Sequence, residues 1–335
     1  MRKLIKRGLT GFLFLVVILV IYSIWDNNRI TLAEQDIMIK NLPDEFEGFK
    51  ILQITDLQEK EFGRHQQRLI SAINDIEYDA IVFTGDLLNS SESKNYKPTY
   101  TLIEGIQNKK HALFVPGNAD PKNYHSNPEQ PFEKNEFVKG IEKRNVKLLE
   151  SIYTIKRGAS NLYFVDFELS IQKTQKQIEA INGRSIPENA SYEAYLNDYL
   201  DHQKQLLEEI STLDKMKSSD VLVALNHYPV VDARIDYLLS NREFVFRNYD
   251  LIMAGHYHGG QIRLPFIGAL FVPEAWYEPN SFFPPQDRVK GLWEYKQTKQ
   301  YVSTGLGSSD FISILKFRLF NPPEINVLTL KKEDK

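Results

Sequence analysis

Five short segments, far apart in the chain, each place oxygen or nitrogen donors just after an apolar, β-branched run. They are Asp56-Leu57-Gln58 after Ile51–Ile54, Gly85-Asp86 after Ala80–Phe83, and Gly117-Asn118-Ala119-Asp120 after Ala112–Val115. Asn226-His227 follows Val221–Leu225, and Gly255-His256-Tyr257-His258-Gly259-Gly260 follows Leu251–Met253. In an open α/β sheet the carboxyl ends of the strands line one crevice, where ligands bind. Five donor segments at such a rim read as a metal site. The chain has no cysteine, so thiolate ligands, iron–sulfur clusters and disulfides are excluded, and any metal is held by His, carboxylate or amide oxygen.

Around these segments the pattern predicts an α/β fold. Strands at Ile51–Thr55, Ala80–Thr84 and His111–Pro116 alternate with helices at Gln66–Ile76 and Tyr100–Asn108, the signature of a parallel sheet with helices on its faces. After Lys147 the pattern shifts to paired strands at Ile152–Lys156, Leu162–Phe167, Val221–Leu225, Leu251–Ala254, Ala269–Val272, Gln300–Ser303 and Ile325–Leu330. Residues 168–220 form a polar, helix-rich insert. Its stripe of Tyr192, Tyr195, Leu196, Tyr199, Leu206, Ile210 and Leu213 has helical spacing and fits packing on the core. Glu274–Tyr295 is rich in aromatics, among them Trp276, Tyr277, Phe282, Phe283 and Trp293, and offers a wall beside the histidine motif.

Gly8–Trp25 is an uncharged, apolar stretch within the ~17–25 residues that span a bilayer. Arg2, Lys3, Lys6 and Arg7 precede it, which predicts a cytoplasmic amino terminus and an extracytoplasmic domain on a single-pass membrane anchor. Tyr22-Ser23-Ile24-Trp25 offers no small-residue cleavage site, so an uncleaved anchor is favoured over a signal peptide. Residues 26–48 read as a linker and a first edge strand, and the expected division is a tail and anchor over 1–27, a linker over 28–45, and a main domain over 46–335. Setting aside the four basic residues before the anchor leaves 37 basic against 44 acidic residues, a formal charge of −7. No basic stripe is present, which argues against a nucleic-acid partner.

Taken singly, each aspartate reads as a helix cap or turn residue and each histidine as a loop residue; the set and its order carry the argument. In extended backbone, residues two apart face the same way. His256 with His258, and Asp56 with Gln58, are therefore expected to point together. Gly255, Gly259 and Gly260 would let backbone crowd a bound anion.

The order Asp-x-Gln, Gly-Asp, Gly-Asn-Ala-Asp, His, Gly-His-x-His resembles that of the calcineurin-like metallophosphoesterase superfamily, in its membrane-anchored bacterial branch. The stretches Gly259-Gly260-Gln261-Ile262-Arg263-Leu264-Pro265, Ser303-Thr304-Gly305-Leu306-Gly307 and Arg318–Ile325 share the resemblance. It implies a four-layer αββα sandwich with two divalent metals above the strand ends. The first would be held by Asp56, Gln58, Asp86 and His258, and the second by Asp86, Asn118, His227 and His256. Asn118 and Asp120 are the implied catalytic residues, and Gln261 and Arg263 the substrate-binding ones. The implied reaction is attack of a metal-bridging hydroxide on a phosphodiester, pyrophosphate or activated phosphomonoester, in a phosphorylated small molecule or a lipid-linked phosphate. Two positions depart from the family, which has histidine at both. Gln58 makes the first site harder and weaker and favours Mn²⁺, with Fe, Zn or Mg as alternatives. Ala119 stands where the family has the proton donor to the leaving group. The alternative implied by these losses is a catalytically weakened membrane protein that binds metal or a phosphorylated ligand as a sensor or scaffold.

Overall fold

Successive side chains of a strand face opposite sides of its sheet, so strands covered on both sides are apolar throughout. Ala80–Thr84, Ala112–Val115, Val221–Leu225 and Leu251–Ala254 are buried at every position. The structure, a computed structural model describing residues 2–184, 192–273, 282–309 and 316–333, accounts for this with two stacked sheets. The first has the strand order Thr31–Ile39, Glu324–Lys332, Lys50–Ile54, Ala80–Thr84, Ala112–Val115, Lys147–Leu148. The second runs Gly291–Tyr295, Thr298–Val302, Leu251–Ala254, Val221–Leu225, Ser160–Asp166, Ile152–Arg157. The strands that precede the donor segments are parallel to one another within each sheet, so their carboxyl ends share one rim.

The alternation sorts side chains into cores between the sheets and on each sheet's outer face. Val82, Leu113 and Val115 of the first sheet meet Phe164, Val223, Leu225 and Met253 of the second. On the first sheet's outer face Ile81, Phe83 and Phe114 are covered by Leu69 and Ile73 of helix Gln67–Asn74, Leu102 and Ile103 of Lys97–Gly105, and Phe137 and Ile141 of Glu136–Glu142. On the second sheet's outer face Leu222, Ala224 and Ile252 are covered by Phe167, Ile210, Leu213, Ile235 and Leu238. The result is the four-layer αββα arrangement. Burial of each large apolar side chain contributes ~1.5–3 kcal/mol.

Several boundaries differ from expectation. The first edge strand expected within 26–48 takes up half of the span 28–45. Thr31–Ile39 is an edge strand in parallel register with Glu324–Lys332, and Phe46, just beyond, fills the inter-sheet core. Ala269–Val272 shortens to a two-residue pairing of Gly268–Ala269 with Arg263–Leu264. Gly291–Tyr295, read as part of an aromatic wall, forms the outer strand of the second sheet and buries Trp293. Trp276 and Tyr277 lie outside the described residues, and Phe282 and Phe283 are exposed. The insert contains helices Thr174–Asn182 and Glu193–Ile210. Leu206, Ile210 and Leu213 are buried as the stripe predicts, whereas Tyr192 and Tyr199 are exposed. Arg2–Asn28 is one helix, long and apolar enough by length and composition to cross a membrane.

Phe164 is fully buried between the sheets. Phe164→Ala should lower unfolding free energy by ~3–5 kcal/mol through lost transfer energy and a residual cavity, read as a fall in the urea midpoint at unchanged slope.

Candidate metal centre

Each donor segment leaves its strand through sharply turned backbone. Asp56, Gln58, Asp86, His256 and His258 have φ of 53°, 51°, 52°, 70° and 48°. This left-handed region costs an L-residue roughly 1–2 kcal/mol, and clusters of such residues mark functional rims. The expectation of extended backbone is therefore corrected. The turns send His256 and His258 to different partners instead of to one point.

His227 orders the first group. Its Nδ1 lies 2.8 Å from the Thr84 carbonyl oxygen, an acceptor, so that nitrogen carries a proton. Its Nε2 then faces Asn118 Oδ1 at 3.1 Å, His256 Nδ1 at 3.2 Å and Asp86 Oδ1 at 3.3 Å. Several lone-pair donors thus converge on one point, and a single proton cannot bridge them all; a divalent cation can. The carbonyl partner behind the ring is the usual support of a metal-ligating histidine. In the second group, Asp56, Asp86 and His258 offer ligand atoms that all lie within 4.8 Å of one another. Gln58 reaches into this group and donates from Nε2 to Asp86 Oδ2 at 2.9 Å. Asp86 belongs to both groups, one oxygen turned to each. The donor set, oxygen and imidazole nitrogen around a shared carboxylate, fits two divalent ions.

Glycine permits the close approach of the loops. Gly85 has φ +90°, and a side chain there would meet Gly117 N at 2.5 Å and His227 Nδ1 at 2.7 Å. A side chain at Gly117 would lie 2.2 Å from Asp86 Oδ1. Gly255, Gly259 and Gly260, expected to admit an anion, instead pack against Thr55, Thr304 and Ala269, so their small size serves contact between protein loops.

Burial and neighbouring charges shift the ionisable groups of the site. Burial raises the Asp56 carboxyl, the neighbouring His227 charge opposes this, and Asp86 adds to the rise. Burial alone would raise Asp86 too, but His227 and the Ala119 N–H outweigh it and hold Asp86 low. His227 is pushed down by burial and up, more strongly in sum, by Asp86 and Asp56. His256 and His258 are lowered by burial, His256 also by His227 and His258 also by Arg318.

Other expected site residues fall as follows. Asp120 is buried, with Oδ1 accepting from Leu87 N–H at 3.0 Å and Leu88 N–H at 3.1 Å, and Oδ2 from Gly117 N–H at 2.9 Å. It braces the loops that carry Asp86 and Asn118, and its hydrogen-bonding commitments are to backbone. Ala119 donates its N–H to Asp86 Oδ1 at 2.8 Å, a task independent of its side chain. Arg263 Nη1 donates to the Gly259 carbonyl at 2.9 Å and Gln261 Nε2 to the Ser309 carbonyl at 3.2 Å, so both stiffen the histidine loop. Sequence reasoning assigned no part to Arg318, Asn321 or Thr84, which hold the loops from behind. Arg318 and Asn321 lie in a stretch that shared the resemblance, and that was their only signal. A cavity of ≈ 500 Å³ opens between the insert and the ends of strands Ala112–Val115 and Ser160–Asp166, lined among others by Pro116, Tyr124, Glu150 and Tyr199; none of the candidate metal ligands lines it.

A family model described as calcineurin-like phosphoesterase matches residues 49–260, well over half the chain. The chain belongs to that family. Its donors are those set out above, and calcineurin-like phosphoesterases use divalent metals. Over 311 residues the chain is 24% identical to an uncharacterized metallophosphoesterase, YkuE, of Bacillus subtilis (strain 168), covering 91% of this chain and 86% of that one. Two solved structures are also similar. A 5′-nucleotidase precursor of Thermus thermophilus shares 10% identity at a TM-score of 0.37, over 76% of this chain and 48% of that one. The sulfate thiohydrolase SoxB of Thermus thermophilus shares 12% at 0.38, over 87% and 57%. This chain thus spans only about half the length of either solved protein.

Metal uptake must displace the proton that Asp86 and Asp56 hold on His227. Because its folded pKa is raised, that proton is fully bound at acid pH and leaves as pH rises. Mn²⁺ affinity of the His227–His256 site should therefore climb with pH, up to tenfold per unit while His227 is protonated. About one proton should be released per ion, read by calorimetry in buffers of different ionisation enthalpy. Affinity independent of pH, with no proton released, would count against the assignment.

Proposed function

We propose that the chain is a metal-dependent phosphohydrolase for phosphodiesters, pyrophosphates or activated phosphomonoesters. The observation that carries this reading is the convergence of His227 Nε2, His256 Nδ1, Asn118 Oδ1 and Asp86 Oδ1 at 3.1–3.3 Å. When bound, divalent ions there supply Lewis-acid polarisation of a phosphoryl group and lower the pKa of water. The protein's own part is orientation. Thr84 fixes the His227 tautomer, Asp120 holds the Asp86 and Asn118 loops, and Asp86 carries the charge common to both positions. Gln58, an amide where the family has imidazole, supports Mn²⁺ over Zn²⁺ at the first position.

The methyl group of Ala119 cannot protonate a departing oxygen. The reading therefore favours leaving groups that depart as stable anions. Aryl phosphodiesters and pyrophosphates should turn over, and simple alkyl esters should be slower by ~10²–10⁴. Ala119→His should raise rates more for alkyl than for aryl substrates, measured by leaving-group series at saturating Mn²⁺. Equal gains for both would overturn the leaving-group argument. No turnover of any substrate would favour the second reading, a binding or sensing protein, to which Gln58 and Ala119 also point.

The apolar helix and the four basic residues before it support a single-pass anchor with the amino terminus in the cytoplasm and the domain outside. Substrate would then be an extracytoplasmic small molecule or a lipid-linked phosphate. External protease on intact cells should degrade the domain, whereas protection until lysis would reverse the orientation.

A further inference from the structure

The last turn of helix Arg2–Asn28 is bonded into the wall of the metal centre. Asn27 grips the backbone of Arg318 from both sides. Arg318 N–H donates to Asn27 Oδ1 at 2.8 Å, and Asn27 Nδ2 donates to the Arg318 carbonyl at 2.6 Å. Ser23 Oγ donates to the same carbonyl at 2.9 Å. Asp26 is fully buried, with Oδ2 accepting from Asn321 N–H at 3.1 Å and Oδ1 from Arg29 at 2.9 Å. The helix's terminal carbonyls meet cations from the domain, Lys60 at Asn27 O and Arg68 at Asn28 O. Cations are favourable at a helix carboxyl end.

From this dock the bonds lead to one half of the centre. The fully buried Arg318 donates from Nε to the Gly307 carbonyl at 2.6 Å and from Nη2 to the Thr304 carbonyl. Leu306 N–H donates to the Thr55 carbonyl at 3.1 Å, and Gly307 N–H to the Asp56 carbonyl at 2.5 Å. Gly307 also abuts Gln58, whose Cβ would lie 2.5 Å from any side chain placed there. Asn321 Nδ2 donates to the His258 carbonyl at 2.7 Å. Asp56 and His258, with Asp86, are the candidate ligands of the first position, and Gln58 reaches it through its bond to Asp86. Among the described residues, no hydrogen bond from the helix, Arg318 or Asn321 reaches Asn118, His227 or His256.

The geometry points to Ser23, Asp26 and Asn27, in the end of the apolar helix, as positioning residues for the first metal ion. Through Arg318 and Asn321 they hold the backbone from which Asp56, Gln58 and His258 project. The inference rests on the metal-dependent reading above, but it concerns which residues hold the ion and is tested without turnover. Groups that orient metal ligands typically change affinity by ~10–100-fold.

The test uses the full chain in detergent micelles, with Mn²⁺ binding followed by electron paramagnetic resonance and thermal unfolding followed without metal. Asn27→Ala, which removes both bonds to Arg318, should weaken the first site by about 10–100-fold and change the His227–His256 site by less than about twofold. Ile24→Ala, on the same turn but exposed, should change neither. If Asn27→Ala does not fold, Arg318→Lys decides, because one ammonium cannot reproduce the guanidinium's two-carbonyl span. It should show the same one-sided loss. Equal weakening of both sites, or no weakening, would overturn the inference while leaving the metal-dependent reading intact. A wild-type chain that binds no Mn²⁺ would overturn both.

Discussion

Three carboxylates, Asp56, Asp86 and Asp120, are buried at the seam where the ends of the two sheets meet. Removing an ion from water costs several kcal/mol even after relaxation, so everything near this seam is arranged to offset it. His227 crosses from the second sheet to lie 3.3 Å from Asp86, and backbone N–H groups of Ala119, His256, Leu87, Leu88 and Gly117 face the carboxylate oxygens. The same contacts set how the sheets stack. Gln53 of the first sheet donates to the Ala254 carbonyl of the second at 2.9 Å, and His227 donates to the Thr84 carbonyl of the first. Cation binding is therefore continuous with the electrostatics of the fold, since the ligands are held close against a mutual repulsion that only positive charge relieves.

This arrangement explains how the chain tolerates its two departures from the family. Gln58 still fills its place, because its amide bonds the shared carboxylate that an imidazole would otherwise approach. Ala119 keeps the structural half of its position, because the bond to Asp86 comes from its backbone N–H. What is lost at each position is a property of the side chain alone, a nitrogen ligand in one case and a proton donor in the other. The scaffold is insulated from both losses.

The strands were legible as short apolar runs, while their stacking into four layers, with Ile81 and Val82 on opposite faces, was implied only by the family resemblance. The metal ligands were legible because polar donors follow those strands directly. The turned backbone was not, since left-handed φ at Asp56 or His258 is imposed by packing of the surrounding loops and leaves no periodic trace. The first edge strand, Thr31–Ile39, was legible, but its partner was not, because Glu324–Lys332 lies at the other end of the chain. Arg318 hid for a different reason. Arginine is rarely buried without a charged partner, and nothing local marks this one as a brace made through backbone carbonyls.

Ser23, Asp26 and Asn27 read in sequence as the polar fringe where an apolar helix gives way to a tether. A helix end has carbonyls without intrahelical partners, and these need donors from elsewhere. Here the domain supplies them through Lys60 and Arg68, while the fringe side chains take up the backbone of Arg318 and Asn321. With Trp25 exposed beside this dock and Tyr22 packed on Phe320 at 5.0 Å, the aromatic residues suited to a bilayer interface lie at the joint itself. A flexible tether would let the metal centre sample many heights above a membrane. If the helix crosses a membrane, as proposed, a hydrogen-bonded joint would hold it at one; two bonded steps separate Asp26 from the backbone of His258. Fixed height is of little use for a freely diffusing ester. It suits a phosphate whose own depth is set by a lipid, and this physical consideration favours the lipid-linked member of the proposed substrate classes.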